Sequence, residues 1–278
     1  MSEHLEPVPF GEAPTLDDAA AARPAWAPKG HDLAEASTRL QERLGELQAA
    51  LYADGERALL VVLQGRDASG KDGTIRHVFS AANPQGCQVV SFAAPSEIAQ
   101  RHDFLWRVHA SVPRKGMIGI FNRSHYEDVL VARVRSLVPK ELWERRYDHI
   151  NAFERLLVDE GTIVVKFLLH VSREEQRQRL LERVNDPAKN WKFRAGDLDD
   201  RARWDEYTAA YRDAAARCST AWAPWYVVPA DRKKVRDWLI ADTLVRTLER
   251  VDMRLPEADA SDLATWRAAL APGVTDER

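Results

Sequence analysis

Residues 65–74, GRDASGKDGT, constrain this chain more than any other stretch. They contain G-x-x-x-x-G-K, preceded by an apolar run and followed by a segment of helical character. Glycine suits such positions because a side chain would hold backbone amides away from a phosphate. The helix start adds a positive dipole end, and Lys71 adds a mobile cation for terminal phosphates. The run at 58–63, ALLVVL, reads as a strand buried on both faces. A plain glycine turn is the alternative, and the strand before and helix after weigh against it. One position departs from the usual pattern. Asp72 stands where Ser or Thr normally holds Mg²⁺, and a second acid, Asp67, lies inside the loop. Acids beside phosphate repel it unless a divalent metal bridges them, so the loop reads as built for a Mg²⁺-rich substrate.

The flanking sequence alternates between strand and helix patterns. A helix is expected from Asp32, with Glu35 completing a capping box, Leu33, Leu40, Leu44, Leu47 and Leu51 on one side, and Gly55 at its end. Further strands are expected at 88–92, 117–121, 162–171 and 225–228. Helices are expected at about 73–82 and 96–110, through Leu142, Tyr147, Ile150, Phe153 and Leu157, and from Asp231. Such alternation implies a parallel sheet covered by helices on both faces. Residues 1–30 carry five of the 14 prolines and read as an extended arm. Residues 31–255 form a single domain, and 256–278 a C-terminal tail.

Composition narrows the function classes. With 45% hydrophobic and 30% charged residues, the chain is too apolar for disorder and too charged for an integral membrane protein. No apolar stretch approaches the ~20 residues of a membrane helix, and no secretory signal is visible, so a soluble cytoplasmic protein without a membrane partner is expected. A net charge of −3 argues against nucleic acid as a partner. Cys87 and Cys218 are expected as unpaired thiols, and the eight histidines show no metal-ligand spacing.

Two further constellations carry chemistry. In MIGIFNRSHYED (residues 117–128) a buried-type strand ends at Asn122, followed by Arg123 and then Glu127 and Asp128. An arginine there can meet a transferring phosphoryl group beside acids that hold Mg²⁺; a solvated helix start is the plainer alternative. Gln176, Arg179 and Arg183 share one helix face by their i, i+3, i+7 spacing, where a solvated charged face is the alternative. Residues 186–196 then bring Lys189, Trp191, Lys192 and Arg194 without helical period, which suits a mobile lid that excludes water. Trp204, Tyr207, Tyr211, Ala214 and Cys218 run at helical spacing and read as core packing. His125 reads as a hydrogen-bonding residue near the site.

Together GRDASGKDGT, HDFLWR (102–107), FNRSHYED (121–128), EEQRQRLLER (174–183) and the segment 186–207 resemble the polyphosphate kinase 2 family, over roughly residues 33–252. The resemblance implies a P-loop kinase-like three-layer α/β/α fold with a helical lid at about 184–200. It implies reversible phosphoryl transfer between inorganic polyphosphate and nucleotides, AMP to ADP and ADP to ATP, with guanine nucleotides as further candidates. Mg²⁺, with Mn²⁺ as a substitute, is the implied cofactor, and a homo-oligomer is expected. Asp67, Lys71, Arg123 and Asp128 are then the catalytic residues. Gly65, Arg66, Ala68, Ser69, Gly70, Asp72, Gly73, Thr74, Arg107, Asn122, Gln176, Arg179, Arg183, Lys189 and Lys192 bind phosphate or substrate. Asp67, Asp128 and Glu127 are the candidate metal ligands, because most members have Asp where this chain has Asn122. Two rival readings stand beside this one: an ATP-dependent nucleoside monophosphate kinase and a non-catalytic nucleotide-binding module.

Overall fold

The computed structural model describes residues 3–257 and 259–271. Strands β1 (Ala58–Gln64), β2 (Cys87–Ser91), β3 (Ile118–Asn122), β4 (Thr162–His170) and β5 (Trp225–Pro229) form one sheet in the order β2-β3-β1-β4-β5. Every ladder is parallel. All seven residues of the central β1 are buried. A strand with helices on both faces has no polar side, hence the unbroken apolar run from Ala58 to Leu63.

Alternate residues of β1 feed two cores. Leu59, Val61 and Leu63 pack with α1 (Gly30–Asp54), α2 (Lys71–Val78) and α10 (Lys233–Leu248). Leu60 and Val62 pack with α5 (Glu127–Val134), α6 (Lys140–Asp159) and α9 (Trp204–Cys218). The result is the three-layer α/β/α arrangement that the alternation predicts. The chain leaving β1 crosses beyond β3 to the edge strand β2, whereas the chain leaving β3 returns past β1 to β4. The loops after β1 and β3 therefore part, opening a crevice at the strand ends where open parallel sheets bind ligands. The stretch expected as a lid is occupied by the end of helix α7 (Arg173–Asn185), a 3₁₀ turn (Asn190–Lys192) and the start of α8 (Ala195–Ala202).

The expected helix over 96–110 is instead two short ones, α3 (Glu97–Gln100) and α4 (Trp106–His109). Between them the Asp103 carboxylate accepts from the Leu105 amide at 2.9 Å, a local turn that competes with helix. Helix α1 starts at Gly30 without a side-chain cap, so the expected Asp32–Glu35 box does not form. Glu35 faces Arg39 instead, at 3.0 Å.

Within the N-terminal arm the described residues hold a single short 3₁₀ turn (Ala19–Ala21), yet backbone hydrogen bonds pin the segment to the domain. Val8 N–H donates to Trp225 O and Gly11 N–H to Ala216 O, both at 2.8 Å. Asp17 O accepts from His170 Nε2 (2.7 Å), and Asp18 Oδ1 accepts from the first amide of α7, that of Arg173 (3.0 Å). Of the C-terminal tail, residue 258 and residues 272–278 lie outside the described residues, and the rest includes the exposed helix α11 (Ala260–Ala269). Cys87 and Cys218 are unpaired. Among the described residues no helix is long and apolar enough to cross a membrane.

Gly119, in the middle of β3, faces the Pro113 ring so closely that an added Cβ would lie 2.7 Å from its Cγ and Cδ. Gly119→Ala is expected to cost about 1–3 kcal/mol in urea unfolding, because a proline ring cannot swing aside. An unchanged midpoint would mean that the 113 loop yields freely.

Candidate active site

The phosphate loop is fixed from below by two buried arginines. Gly70 precedes α2 with φ +103°, and a Cβ there would sit 1.9 Å from Arg236 Nη1. Only glycine lets that guanidinium approach. Arg236, on α10, donates to Ser69 O (3.1 Å) and is held by Asp237 Oδ1, which also accepts from Thr74 Oγ1. Arg179, on α7, donates to Ala68 O (3.0 Å), Ser69 O (3.1 Å), Ala230 O (2.7 Å) and Asp231 O (3.1 Å), with Nε on Glu175. Charge-assisted bonds of this kind are about twice as strong as neutral ones, so the loop is held in shape before any ligand arrives. Arg179 thus sits under the loop with its donors committed, outside the pocket lining.

Above the loop, residues from two strand ends converge. Arg123, directly after β3, adopts φ +62°, a conformation uncommon outside glycine. Its amide donates to Leu63 O at 3.0 Å, which ties the turn to β1. Its guanidinium meets Asp67 Oδ1 at 2.7 Å. A cavity of about 50 Å³ lies beside this pair. Gly65, Arg66, Asp67, Arg123, Glu127, Val131, Gln176, Asp200, Tyr207 and Tyr211 line it.

Burial sets the charge states here. It pulls the buried Lys71 ammonium down to about 8, with Asp67 opposing the shift. Lys71 Nζ donates to Gly65 O (2.7 Å) and Arg66 O (3.2 Å), contacts that a phosphate oxygen can replace. Burial alone would raise the Asp67 carboxyl, but Lys71 and Arg123 hold it below the ordinary aspartate value. Glu127 is raised by burial, which Arg123 and Lys71 only partly offset.

The other expected residues take varied places. Gln176 Nε2 donates to Asp67 O at 3.1 Å. Asn122 Nδ2 donates to Asp72 Oδ1 at 2.8 Å, and Lys192 reaches the same carboxylate at 3.9 Å, joining loop, strand end and lid. Arg183 pairs with Asp197 (3.6 Å), and Lys189 with Asp186 (2.9 Å) on the exposed lid. The Ser69 hydroxyl is buried without a partner, and Gly73 lies near Arg236. Asp128 faces away from the pocket lining toward Arg146 (3.5 Å) and Arg107 (3.8 Å), the latter also donating to Ala93 O.

Sequence reasoning missed the contribution of α9. Tyr207 and Tyr211 line the cavity, and Arg66 stacks 3.8 Å over Trp204 while donating to Trp204 O and the Thr208 hydroxyl. Their helical spacing was the available signal, but spacing alone does not say that one end of a stripe faces a cavity while Ala214 and Cys218 fill the core.

The donor set fits a hard divalent cation. Of the three carboxylates that line the cavity, Asp200 is taken by Arg135 (2.6 Å) and the Tyr207 hydroxyl (2.8 Å), which leaves Asp67 and Glu127, and such ions are held by one or two carboxylates together with substrate phosphates. Among the described residues no cluster of three or more His, Cys, Asp or Glu gathers for a metal, so the protein alone offers only part of a shell. Glu127, half-buried and with its carboxyl raised by desolvation, is the acid that a cation would relieve.

Comparison with known proteins places these features in a wider group. The family model described as Polyphosphate kinase 2 matches residues 29–256. An AMP/ADP-polyphosphate phosphotransferase of Meiothermus ruber is 55% identical over 227 residues, covering 82% of this chain and 85% of that one. An ADP-polyphosphate phosphotransferase of Rhodopseudomonas palustris is 44% identical over 264 residues, covering 91% and 89%. The crystal structure of polyphosphate kinase 2 from Arthrobacter aurescens TC1 superposes with a TM-score of 0.82 at 38% identity, covering 95% of this chain and 98% of that one.

The lowered Lys71 value gives a test. Lysine is charged below its pKa, so binding of tripolyphosphate, followed by calorimetry, is expected to weaken as pH rises through about 8. Lys71→Met should bind more weakly with no such step. Affinity flat from pH 7 to about 9.5 in the unmodified protein would contradict a loop lysine in this state.

Proposed function

The chain belongs to the polyphosphate kinase 2 family, and on that premise we propose that the cavity above the phosphate loop is where its phosphoryl transfer takes place. The enzyme moves phosphoryl groups between inorganic polyphosphate and nucleotides. One observation carries the assignment to this cavity: the loop residue Asp67, after one strand, is ion-paired at 2.7 Å with Arg123, which follows another.

Phosphoryl transfer asks little covalent work of a protein; positioning and charge stabilisation do most of it. Lys71 exchanges its contacts with Gly65 O and Arg66 O for oxygens of the terminal phosphoryl group. Arg123 stands at the strand end to meet charge that develops as the bond to the donor lengthens. An oxygen of the acceptor nucleotide's last phosphate attacks that phosphorus, and the shortened polyphosphate leaves. Asp67 and Glu127 would hold Mg²⁺, which when bound neutralises phosphate charge, and Mn²⁺ has the same oxygen preference. Lys192, which reaches Asp72 of the loop, and Arg183, paired with Asp197, supply further cations on the lid side, and lid closure would keep water from competing as acceptor.

We further take AMP and ADP as acceptors, supported by the dual name of the Meiothermus ruber relative, with guanine nucleotides as further acceptors and transfer running in both directions. A cytoplasmic homo-oligomer without nucleic-acid or membrane partners completes the proposal, in keeping with a net charge of −3.

The test is to incubate the protein with Mg²⁺ and AMP or ADP, using long-chain polyphosphate or ATP as donor, and to separate the nucleotides by chromatography. ADP and ATP should form from polyphosphate, and Lys71→Ala or Arg123→Ala should each lower turnover by about 10²–10³-fold with the fold intact. Transfer from ATP alone, or full activity in Lys71→Ala, would overturn the proposal.

A further inference from the structure

A second group of charged side chains lies in the core, and the transfer chemistry does not use it. Lys166, in the middle of β4, is fully buried, as are Glu154 on α6 and both His125 and Tyr126 in the turn after Arg123. Lys166 Nζ donates to Glu154 Oε2, to Tyr126 Oη at 3.0 Å and to Cys218 O at 2.8 Å. Glu154 Oε1 accepts from Tyr126 Oη at 3.0 Å and lies 3.2 Å from His125 Nε2. One carboxylate thus ties together a sheet strand, a helix and two consecutive residues of the β3–α5 turn.

Such a cluster needs a reason to exist. Burying an ion pair is rarely better for stability than an apolar pair of similar volume. What this one does geometrically is clamp His125 and Tyr126. Arg123 lies two residues before His125, in the left-handed conformation, and Glu127 directly follows Tyr126. The same turn is braced from β1, because Gln64 Nε2 donates to Ser124 Oγ (3.3 Å), which accepts from the Tyr126 amide (3.2 Å). Ser124 O, His125 O and Tyr126 O then accept the first amides of α5, those of Glu127, Asp128 and Val129. Glu154, Lys166, His125 and Tyr126 themselves do not line the cavity, whereas the flanking Arg123 and Glu127 do.

We propose that Glu154, with Lys166 as its counter-ion, is a positioning residue: by gripping His125 and Tyr126 it holds Arg123 at the reacting phosphates. This rests on the role given to Arg123 above. A positioning group of this kind acts through the arginine, so its loss lowers the rate of the chemical step and leaves substrate binding largely in place.

The experiment measures kcat and KM for ADP with polyphosphate in Glu154→Gln, in Arg123→Ala and in the double variant, with thermal unfolding alongside. Glu154→Gln is expected to lower kcat at least about tenfold, with KM changed less than about twofold. In the Arg123→Ala background the same change should alter kcat less than about twofold, since the group it positions is gone. Equal losses in both backgrounds, or full kcat in a folded Glu154→Gln protein, would overturn the proposal. If Glu154→Gln does not fold, the apolar pair Glu154→Leu/Lys166→Met takes its place, because it leaves no unpaired buried charge. A folded pair variant with full kcat overturns the proposal equally, and one with the same tenfold loss, absent in the Arg123→Ala background, supports it. Full activity of Arg123→Ala itself would instead overturn the catalytic assignment on which the proposal rests.

Discussion

The ion pair between Asp67 and Arg123 is the constraint around which the site is arranged. It joins the loop after β1 to the turn after β3, the two segments that the sheet order drives apart. To make it, Arg123 takes a left-handed backbone conformation, which costs a non-glycine residue on the order of 1 kcal/mol or more. Such strain persists only where the surroundings over-determine it. Here the Arg123 amide is bound to Leu63 O, the guanidinium is bound to Asp67, and the residues that follow are wedged into the core.

Arginines divide the labour by depth. Arg179 and Arg236 lie beneath the phosphate loop, where their donors are satisfied by loop carbonyls and by Glu175 or Asp237. Arg123 lies at the cavity, and Arg183 toward the lid. A polyanionic substrate needs cations that are already desolvated and fixed, since each side chain ordered on binding subtracts from affinity. The loop's shape therefore depends on α7 and α10, and α7 in turn is capped at its first amide by Asp18 of the N-terminal arm. A segment that looks peripheral in sequence thereby reaches the helix that carries Gln176 and Arg179.

Much of this was legible in the sequence, for identifiable reasons. The loop and β1 were plain because glycine spacing and an unbroken apolar run are both local signals. Arg123 stood out because it follows a buried strand. Three features were not readable, because each depends on packing between distant segments. The face shared by Gln176, Arg179 and Arg183 is real, but periodicity does not say whether it meets a ligand or the underside of a loop. Glu127 and Asp128 are adjacent at a helix start, about 100° apart around its axis, and only the positions of Arg107 and Arg146 decide which carboxylate the cavity sees. The arm is held by scattered apolar side chains such as Val8, Leu16 and Ala27 and by backbone hydrogen bonds, which together make no periodic pattern to read.

The central claim is that the two strand ends act as one catalytic unit through Asp67 and Arg123. A double-mutant cycle on kcat, with Asp67→Asn, Arg123→Ala and both together, tests it most directly. Groups that work as a unit are strongly non-additive, so the double variant is expected to be about as slow as the slower single one. A double variant slowed by the full product of the two separate losses would contradict the claim.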